Sequence, residues 1–495
     1  MNTENQLLAE NQKLSQEVDY LKERIQLLLA QIYGKKSEKM PLPSVDQLSF
    51  LETELEALQA QQEVEAVTVP AHSRKASGRK PLPEELPRIE VIHDLAEAEK
   101  QCPCGAELSK IGEGTSEQLE YIPATLQVLK HIRPKYACRS CQGVEDQGPT
   151  VKIAPAPKQM IPKSIASSGL LAHIITAKFV DSLPFYRQEK QFKRLGYELS
   201  RTNMANWAIQ LGERLERLLY LLHQEIKLAP LIQIDETTVQ VLKEAGRKAT
   251  SKSYLWVMRT GASKNPLVYF AYDPSRSGAI AKGLLQGYPG LVMSDGYAGY
   301  NFIEADRHAH CWAHARRKFT DALKIKKTSP AKEMIELIGK LYKIEDDIKE
   351  LSLEAQLLAR ETRSQAMIED IRAWLLEKQP KVAPKSKLGE AIGYTLKYWL
   401  GLTLFLEQPE LPLDNNAAEN SIRPVALGRK NWLFSDTPKG AHATAALYSL
   451  VESAKANGLN PQVYLKTLFE RFPKVEGDDQ IMDLLPCYIN LDKKT

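Results

Sequence analysis

The sequence predicts a multidomain α+β protein, and three observations carry that reading. Leucines recur every seven residues near the N-terminus, four of the six cysteines fall between Cys102 and Cys141, and from residue 231 β-rich alternating segments give way to helical ones in a regular order. The pieces read as a leucine-zipper coiled coil (1–66), a basic Pro-rich linker (67–100), a zinc-ribbon-like domain (101–150), a helix-turn-helix-like helical domain (155–228), an α/β core (229–328 and 408–458) split by an all-helical insertion (329–407), and a C-terminal helix and tail (459–495). At 495 residues the chain is too long for one hydrophobic core, and 43% apolar residues suffice for several to pack. No run of 18 or more apolar residues occurs, and the start, MNTENQLLAE, is too polar for a signal peptide, so a cytoplasmic protein is expected. A net charge of +4 does not by itself announce nucleic acid; any such function must rest on where the positive charge clusters.

In the first segment Leu7, Leu14, Leu21 and Leu28 alternate with Asn11, Val18, Ile25 and Ile32 to form an a/d seam. β-Branched residues at a with leucine at d favour a parallel dimer, Asn11 would fix its register, and Glu17 can face Lys22 across it, so a homodimer or higher oligomer is expected. A second stripe, Leu48, Leu51, Leu55 and Leu58, follows a break at Pro41 and Pro43. Residues 67–88 shift to Pro, Ser, Lys and Arg, a composition that cannot bury enough apolar surface to fold alone; Arg74, Lys75, Arg79 and Lys80 could lie along phosphates or simply be solvated.

Cys102, Cys104, Cys138 and Cys141 supply four thiols, the tetrahedral sulfur set that a structural Zn2+ prefers. The second pair has ribbon spacing, and the first is one residue shorter. Between them an alternating segment carries Lys130, His131, Arg133 and Lys135; contact with DNA and a purely structural zinc weigh equally. Lys163 to Leu222 reads as helical throughout, with a turn at Gly196 and a helix starting near Ser200. That is a helix-turn-helix layout in which Arg201, Thr202, Asn203 and Asn206 would face a groove, while Trp207 and Ile209 are core; three-helix packing without DNA is the competing account.

Residues 231–242, 254–260 and 267–272 alternate as strands, with turns at Gly246 and at Asn265-Pro266. A helix over 277–285, a short strand LVMSDG, and RHAHCWAHARRKF as a fifth strand entering a helix complete a βββαβαβα order, that of the ribonuclease H-like fold. In that fold Asp235, on the first strand, and Asp295, ending the fourth, are neighbours. The segment Leu413–Phe434 reads as a helix with Asp414 as N-cap, Gly428 as stop, and Glu419 mid-helix sharing one face with Asn416 and Arg423. Each acid alone has an ordinary reading, as an exposed ion pair or a turn residue. Asp235, Asp295 and Glu419 together supply the hard oxygen ligands that two Mg2+ ions (or Mn2+) need for phosphoryl transfer, with ions about 4 Å apart. Arg316, Arg317 and Lys318 on one side and Arg423, Arg429 and Lys430 on the other are candidate phosphate contacts.

The blocks IDETTVQVL, LVMSDGYAGYN, HCWAHARRKF and LPLDNNAAENSIRPVALGRKNWLFS resemble the signatures of the insertion-sequence-66 family of DDE transposases. The zipper, the QCPCG-to-CRSCQ ribbon and SGRKPLP resemble that family's N-terminal half. The resemblance implies a ribonuclease H-like catalytic domain with Asp235, Asp295 and Glu419 as its triad. It also implies cleavage and strand transfer at the double-stranded terminal inverted repeats of a bacterial element, with target DNA and accessory proteins of the element as further partners and a nucleoid-associated location on DNA. The alternative is a catalytically inactive, zinc-containing DNA-binding or architectural protein of the same element. Cys311-Trp-Ala-His314 resembles the CxxH element of several transposase superfamilies. If strand alternation continued, His308, His310 and Trp312 would point one way and Cys311 the other, so packing and a helix cap are expected there rather than joint metal coordination.

Overall fold

The computed structural model describes residues 151–491 except 262 and 326–328, together with 89–90, 118, 124–137 and most of 10–25. The four ribbon cysteines and most of the zipper and linker lie outside these residues. The chain divides into two compact units, residues 1–54 with 133–495, and residues 55–132. In the smaller unit the described residues 124–132 have no regular secondary structure and are exposed. In the larger unit the described part of 10–25 is helical and leaves Leu14, Val18, Leu21 and Ile25 about half exposed.

β1 (Lys135–Ala137) and β2 (Val151–Ile153) form an antiparallel ribbon. Four helices follow: α1 (Ser168–Phe179), α2 (Phe185–Arg194), α3 (Arg201–Arg214) and α4 (Glu216–Ile226). The turn expected at Gly196 is present, at φ +89°, whereas the stretch read as helical throughout is also interrupted after Phe179, before Pro184 caps the start of α2. Ser200 caps α3 by accepting the Asn203 N–H, as its position predicts.

Then come β3 (Leu231–Gln240), β4 (Lys252–Thr260), β5 (Val268–Asp273), α5 (Gly278–Leu284), β6 (Leu291–Ser294), β7 (His308–His310) and α6 (Trp312–Ile325). The five strands make one mixed sheet in the order β5-β4-β3-β6-β7, antiparallel among β3, β4 and β5 and parallel from β3 through β6 to β7. β3 is central and its first six residues are all buried, as a strand covered on both faces requires. Its alternate residues enter different cores. Ile232 and Ile234 join Trp256, Phe270, Leu211, Leu222 and Tyr448, whereas Leu231 joins Met293, Ala309, Trp312 and Phe319. The first core unites α1, α3 and α4 with the sheet; the second belongs to α6 and the insertion.

The insertion is helical, as expected: α7 (Ala331–Ile348), α8 (Leu353–Ala359), α9 (Gln365–Lys378), α10 (Lys387–Lys397) and α11 (Trp399–Thr403). The chain returns through α12 (Asn416–Trp432), α13 (Pro438–Ala456), α14 (Pro461–Arg471) and α15 (Asp478–Met482). α12 departs from expectation at both ends. Asp414 accepts the Asn416 N–H from just outside the helix, so Asn415 is the cap residue and Glu419 lies in the first turn rather than mid-helix. Gly428 does not stop it: the helix runs on to Trp432, and an added Cβ at Gly428 would come within 2.8 Å of Trp432 Nε1 and Tyr448 Oη, so this glycine serves close packing. Pro424 lies within α12 and removes one helical donor.

Arg360 closes the insertion. It sits in a π turn between α8 and α9, is 3% exposed, pairs with Glu345 through two bonds (3.0 and 2.7 Å), and donates to the carbonyls of Phe405, Gln408 and Leu411. Truncating one member of such a pair strands the other charge in the interior. Arg360→Ala is expected to cost about 3–5 kcal/mol of stability, read as a lower urea midpoint. A change of a few tenths would show that the return segment is held by packing alone.

Candidate active site

Three segments far apart in sequence converge at the carboxyl ends of the parallel strands. Between β3 and β6, Leu231 pairs with Leu291, Ile232 with Val292 and Gln233 with Met293; between β6 and β7, Val292 pairs with His308 and Ser294 with His310. Continued by a residue or two, these registers put Asp235, Asp295 and Cys311 in one row across the edge where open α/β sheets present their ligands. α12 crosses β3 and β4, and two bonds fix its start: Gln233 Nε2 donates to the Asp414 carbonyl (3.0 Å) and Asn415 Nδ2 to the Ile234 carbonyl (3.3 Å). Glu419 is thereby delivered to the row.

Each acid is held locally. Asp235 Oδ1 accepts the Glu236 N–H at 2.7 Å, and Asp295 Oδ1 accepts the Tyr297 N–H at 2.9 Å. The three also sense one another. Burial, then the charges of Glu236, Asp295 and Glu419, hold Asp235 well above the usual carboxylate range. Burial is also the main cause at Glu419, which is pushed from 4.5 up to about 7; Arg317 pulls it down, while Asp414 and Asp295 push it up. Asp295 is raised by burial against the pull of the Tyr297 N–H, Arg276 and Lys318. Glu419 Oε1 is buried with no hydrogen-bond partner. Mutually repelling carboxylates with an open buried oxygen, supplied by three separate elements, are a donor set suited to a hard divalent cation.

Sequence reasoning missed the groups that support this set. Glu236, next to Asp235, is buried; Arg276 Nε donates to its Oε1 at 2.6 Å and the Tyr300 hydroxyl donates to its other oxygen. The signal was present in the run Asp235-Glu236, although a strand places successive side chains on opposite faces and no local pattern joins Glu236 to Arg276 or Tyr300. Gly296, after Asp295, lies under the insertion: an added Cβ would meet the rings of Tyr394 and Tyr398 at 2.7 and 2.8 Å, and the Tyr398 hydroxyl donates to the Gly296 carbonyl (2.8 Å).

The candidate phosphate contacts divide. Arg317 and Lys318, on α6, act electrostatically on Glu419 and Asp295, and Lys318 Nζ also lies 4.7 Å from the Tyr394 ring centroid. Arg316 and Arg423 are partly buried, and Lys430 is exposed. Arg429 turns inward, its guanidinium donating to the Thr238 carbonyl and, at 2.9 Å, to Thr238 Oγ1, so it ties α12 to β3. Arg201 and Asn203 are exposed on the first turn of α3. Cys102, Cys104, Cys138 and Cys141 lie outside the described residues. The alternation argument about Cys311 and His314 does not hold, because β7 ends at His310 and α6 begins at Trp312. Cys311 caps the helix, as expected, and His314 sits one turn in.

Comparison with known proteins agrees along the chain. The family model described as Transposase IS66 family matches residues 163–443, zinc-finger binding domain of transposase IS66 matches 99–142, Transposase C of IS166 homeodomain matches 20–91, and IS66 C-terminal element matches 449–487. Among individual relatives, the uncharacterized protein y4jD of Sinorhizobium fredii (strain NBRC 101917 / NGR234) is 35% identical over 422 residues, covering 82% of this chain and 81% of its own length. The uncharacterized protein y4hP of the same strain is 30% identical over 479 residues, covering 90% and 85%.

Glu419 makes the metal-free protein sensitive to pH. Its folded value of about 7 lies above the ordinary 4.5, so between them the native state holds a proton that the unfolded chain has released. The associated stability is full below about 4.5 and is lost as pH rises through about 7. The urea midpoint of the metal-free protein should fall across that window, Mg2+ or Mn2+ should raise it more above the window than below, and Glu419→Gln should flatten both trends. A midpoint indifferent to pH and to divalent cations would contradict the assignment of these acids.

Proposed function

The chain belongs to the transposase IS66 family, and on that premise we propose that it is a DDE-type DNA transposase whose triad is Asp235, Asp295 and Glu419. The observation that carries this reading is the convergence of those three acids at one sheet edge, with Asp235 and Glu419 buried and Asp295 half-buried. The order β5-β4-β3-β6-β7, with three antiparallel strands and then two parallel additions, supports a ribonuclease H-like core, in which catalytic carboxylates gather at this edge. A half-exposed Leu14, Val18, Leu21 and Ile25 stripe supports pairing of two chains through the N-terminal helix. The zinc-finger match supports a structural Zn2+ on Cys102, Cys104, Cys138 and Cys141.

Asp235, Asp295 and Glu419 would hold a pair of Mg2+ or Mn2+ ions, which when bound would polarise the scissile phosphate and ease deprotonation of the attacking oxygen. Hydrolysis adds water across a phosphodiester at the element end and frees a 3′-hydroxyl. That hydroxyl then attacks a target phosphodiester, forming one P–O bond as another breaks, with no external energy source. Arg317 and Lys318 face the acids and would counter charge on the phosphoryl oxygens. Arg276 and Tyr300 hold Glu236 still beside Asp235, and the N-terminal turn of α12 favours the Glu419 carboxylate. On α3, Arg201 and Asn203 would contact the terminal repeats.

An inactive architectural protein of the same element has no use for three acids held together, largely out of water, against their own repulsion. Asp235→Ala, Asp295→Ala and Glu419→Ala should each abolish divalent-metal-dependent cleavage and strand transfer on element-end DNA, by at least about 1,000-fold given the size of such charge effects. Binding of the same DNA in gel-shift assays should be retained. Arg201→Ala should do the reverse, weakening end binding while leaving cleavage at saturating protein. Full strand transfer by Asp235→Ala would end the assignment.

A further inference from the structure

Beside the three acids lies a second cluster of different chemistry. The start of α6 is tied to the segment before α12 by the Trp312 N–H donating to the Leu413 carbonyl (2.9 Å), which brings Cys311 and His314 against Glu419. Cys311 Sγ, a ring nitrogen of His314 and a carboxylate oxygen of Glu419 all lie within 4.8 Å of one another. His314 Nδ1 and Glu419 Oε1 face each other at 3.6 Å.

These groups have few other partners. Cys311 is fully buried, and its sulfur accepts the backbone N–H groups of His314 and of Asn415, the latter at 3.3 Å. Burial and the charges of Glu419 and Asp414 push the Cys311 thiol well up, and these two donors offset them only in part. Both ring nitrogens of His314 are buried without a hydrogen bond, and so is Glu419 Oε1. An imidazole normally bonds through at least one nitrogen when buried, so a ring with neither nitrogen bonded, whose Nδ1 faces an orphaned carboxylate oxygen, calls for a shared ligand. Sulfur, nitrogen and oxygen donors from a helix cap, the next helical turn and a facing helix make a borderline-soft set. In a tetrahedral zinc site such donors sit about 3.6 Å apart, so small rotamer adjustments would close the present spacing.

We propose that Cys311, His314 and Glu419 bind a thiophilic transition-metal ion, Zn2+, at a position beside the three-carboxylate site and separate from the cysteines at 102–141. Three protein donors would leave a tetrahedral ion one position for water or a phosphate oxygen. Bound there, the ion would engage Glu419 through Oε1 and leave its other carboxylate oxygen for the three-carboxylate site. That orienting role rests on the carboxylate reading above, whereas the binding itself does not.

The test uses the full-length chain, stripped of metal and titrated with Zn2+, and in parallel with Co2+, whose thiolate charge-transfer and d–d bands report sulfur ligation. Wild type should bind one equivalent per chain more than Cys311→Ser. Serine keeps an oxygen acceptor at the helix cap, so an unchanged far-UV circular dichroism spectrum and urea midpoint of the metal-free proteins establish that the fold is kept. His314→Gln should lose the same equivalent, which covers the case of a Cys311→Ser chain that fails to fold. A Cys138→Ser/Cys141→Ser double variant should retain it, with the cobalt–thiolate band. Equal metal content and equal cobalt spectra in wild type, Cys311→Ser and His314→Gln would overturn the proposal. Because metal content is read without DNA, it is independent of strand transfer: an inactive wild type that still loses one equivalent in Cys311→Ser would count against the catalytic reading and not against this site.

Discussion

Carboxylates crowded into a desolvated pocket repel one another, and the fold must hold Asp235, Asp295 and Glu419 together against that repulsion. It does so with backbone geometry. A parallel register fixed by Leu231–Leu291 and its neighbours leaves the two aspartates no choice of position relative to each other, because a one-residue slip would turn every buried side chain of β6 to the wrong face. The glutamate arrives on a helix whose start is tied to β3 by Gln233 and Asn415. Arg276, Arg317, Lys318 and the positive end of α12 offset part of that negative charge, Arg276 through its bond to Glu236.

The insertion contributes to this arrangement. Its helices close the second core against Leu231, Met293 and Ala309, its tyrosines cover Gly296 immediately after Asp295, and the Tyr342 hydroxyl donates to Asp414 at the entrance to α12 (3.0 Å). Arg360 then binds the chain as it leaves the insertion, through carbonyls at Phe405, Gln408 and Leu411. A segment inserted between the second and third acids thus sets the geometry of both. Trp312, whose indole N–H donates to the Leu402 carbonyl, carries the same coupling to the helix bearing His314.

Much of the core was legible before the structure because its signals are local. The alternation in LIQIDETTVQ, the positive-φ turn at Gly246 and the cap at Ser200 act over a few residues, and each appears where the pattern places it. The misreadings have separate causes. Gly428 has the sequence signature of a helix stop, yet tertiary packing against Tyr448 uses it as a point of close approach and the helix continues. Strand alternation was carried one residue too far past His310, and this separated Cys311 from His314 on paper although a helical turn unites them.

The sequence by itself determined the strand and helix order and the helical character of the segment from 329 to 407, and it singled out three acids as candidates, because periodicity and residue chemistry are written along the chain. Only the tertiary structure decided which neighbours those acids have. Glu236 held by Arg276 and Tyr300, Arg429 turned inward to Thr238, and Cys311 with His314 against Glu419 all join residues from segments that no local pattern connects. Their meeting follows from strand register and from the docking of α6 and α12, and these are settled by burying apolar surface over the whole domain rather than by any motif.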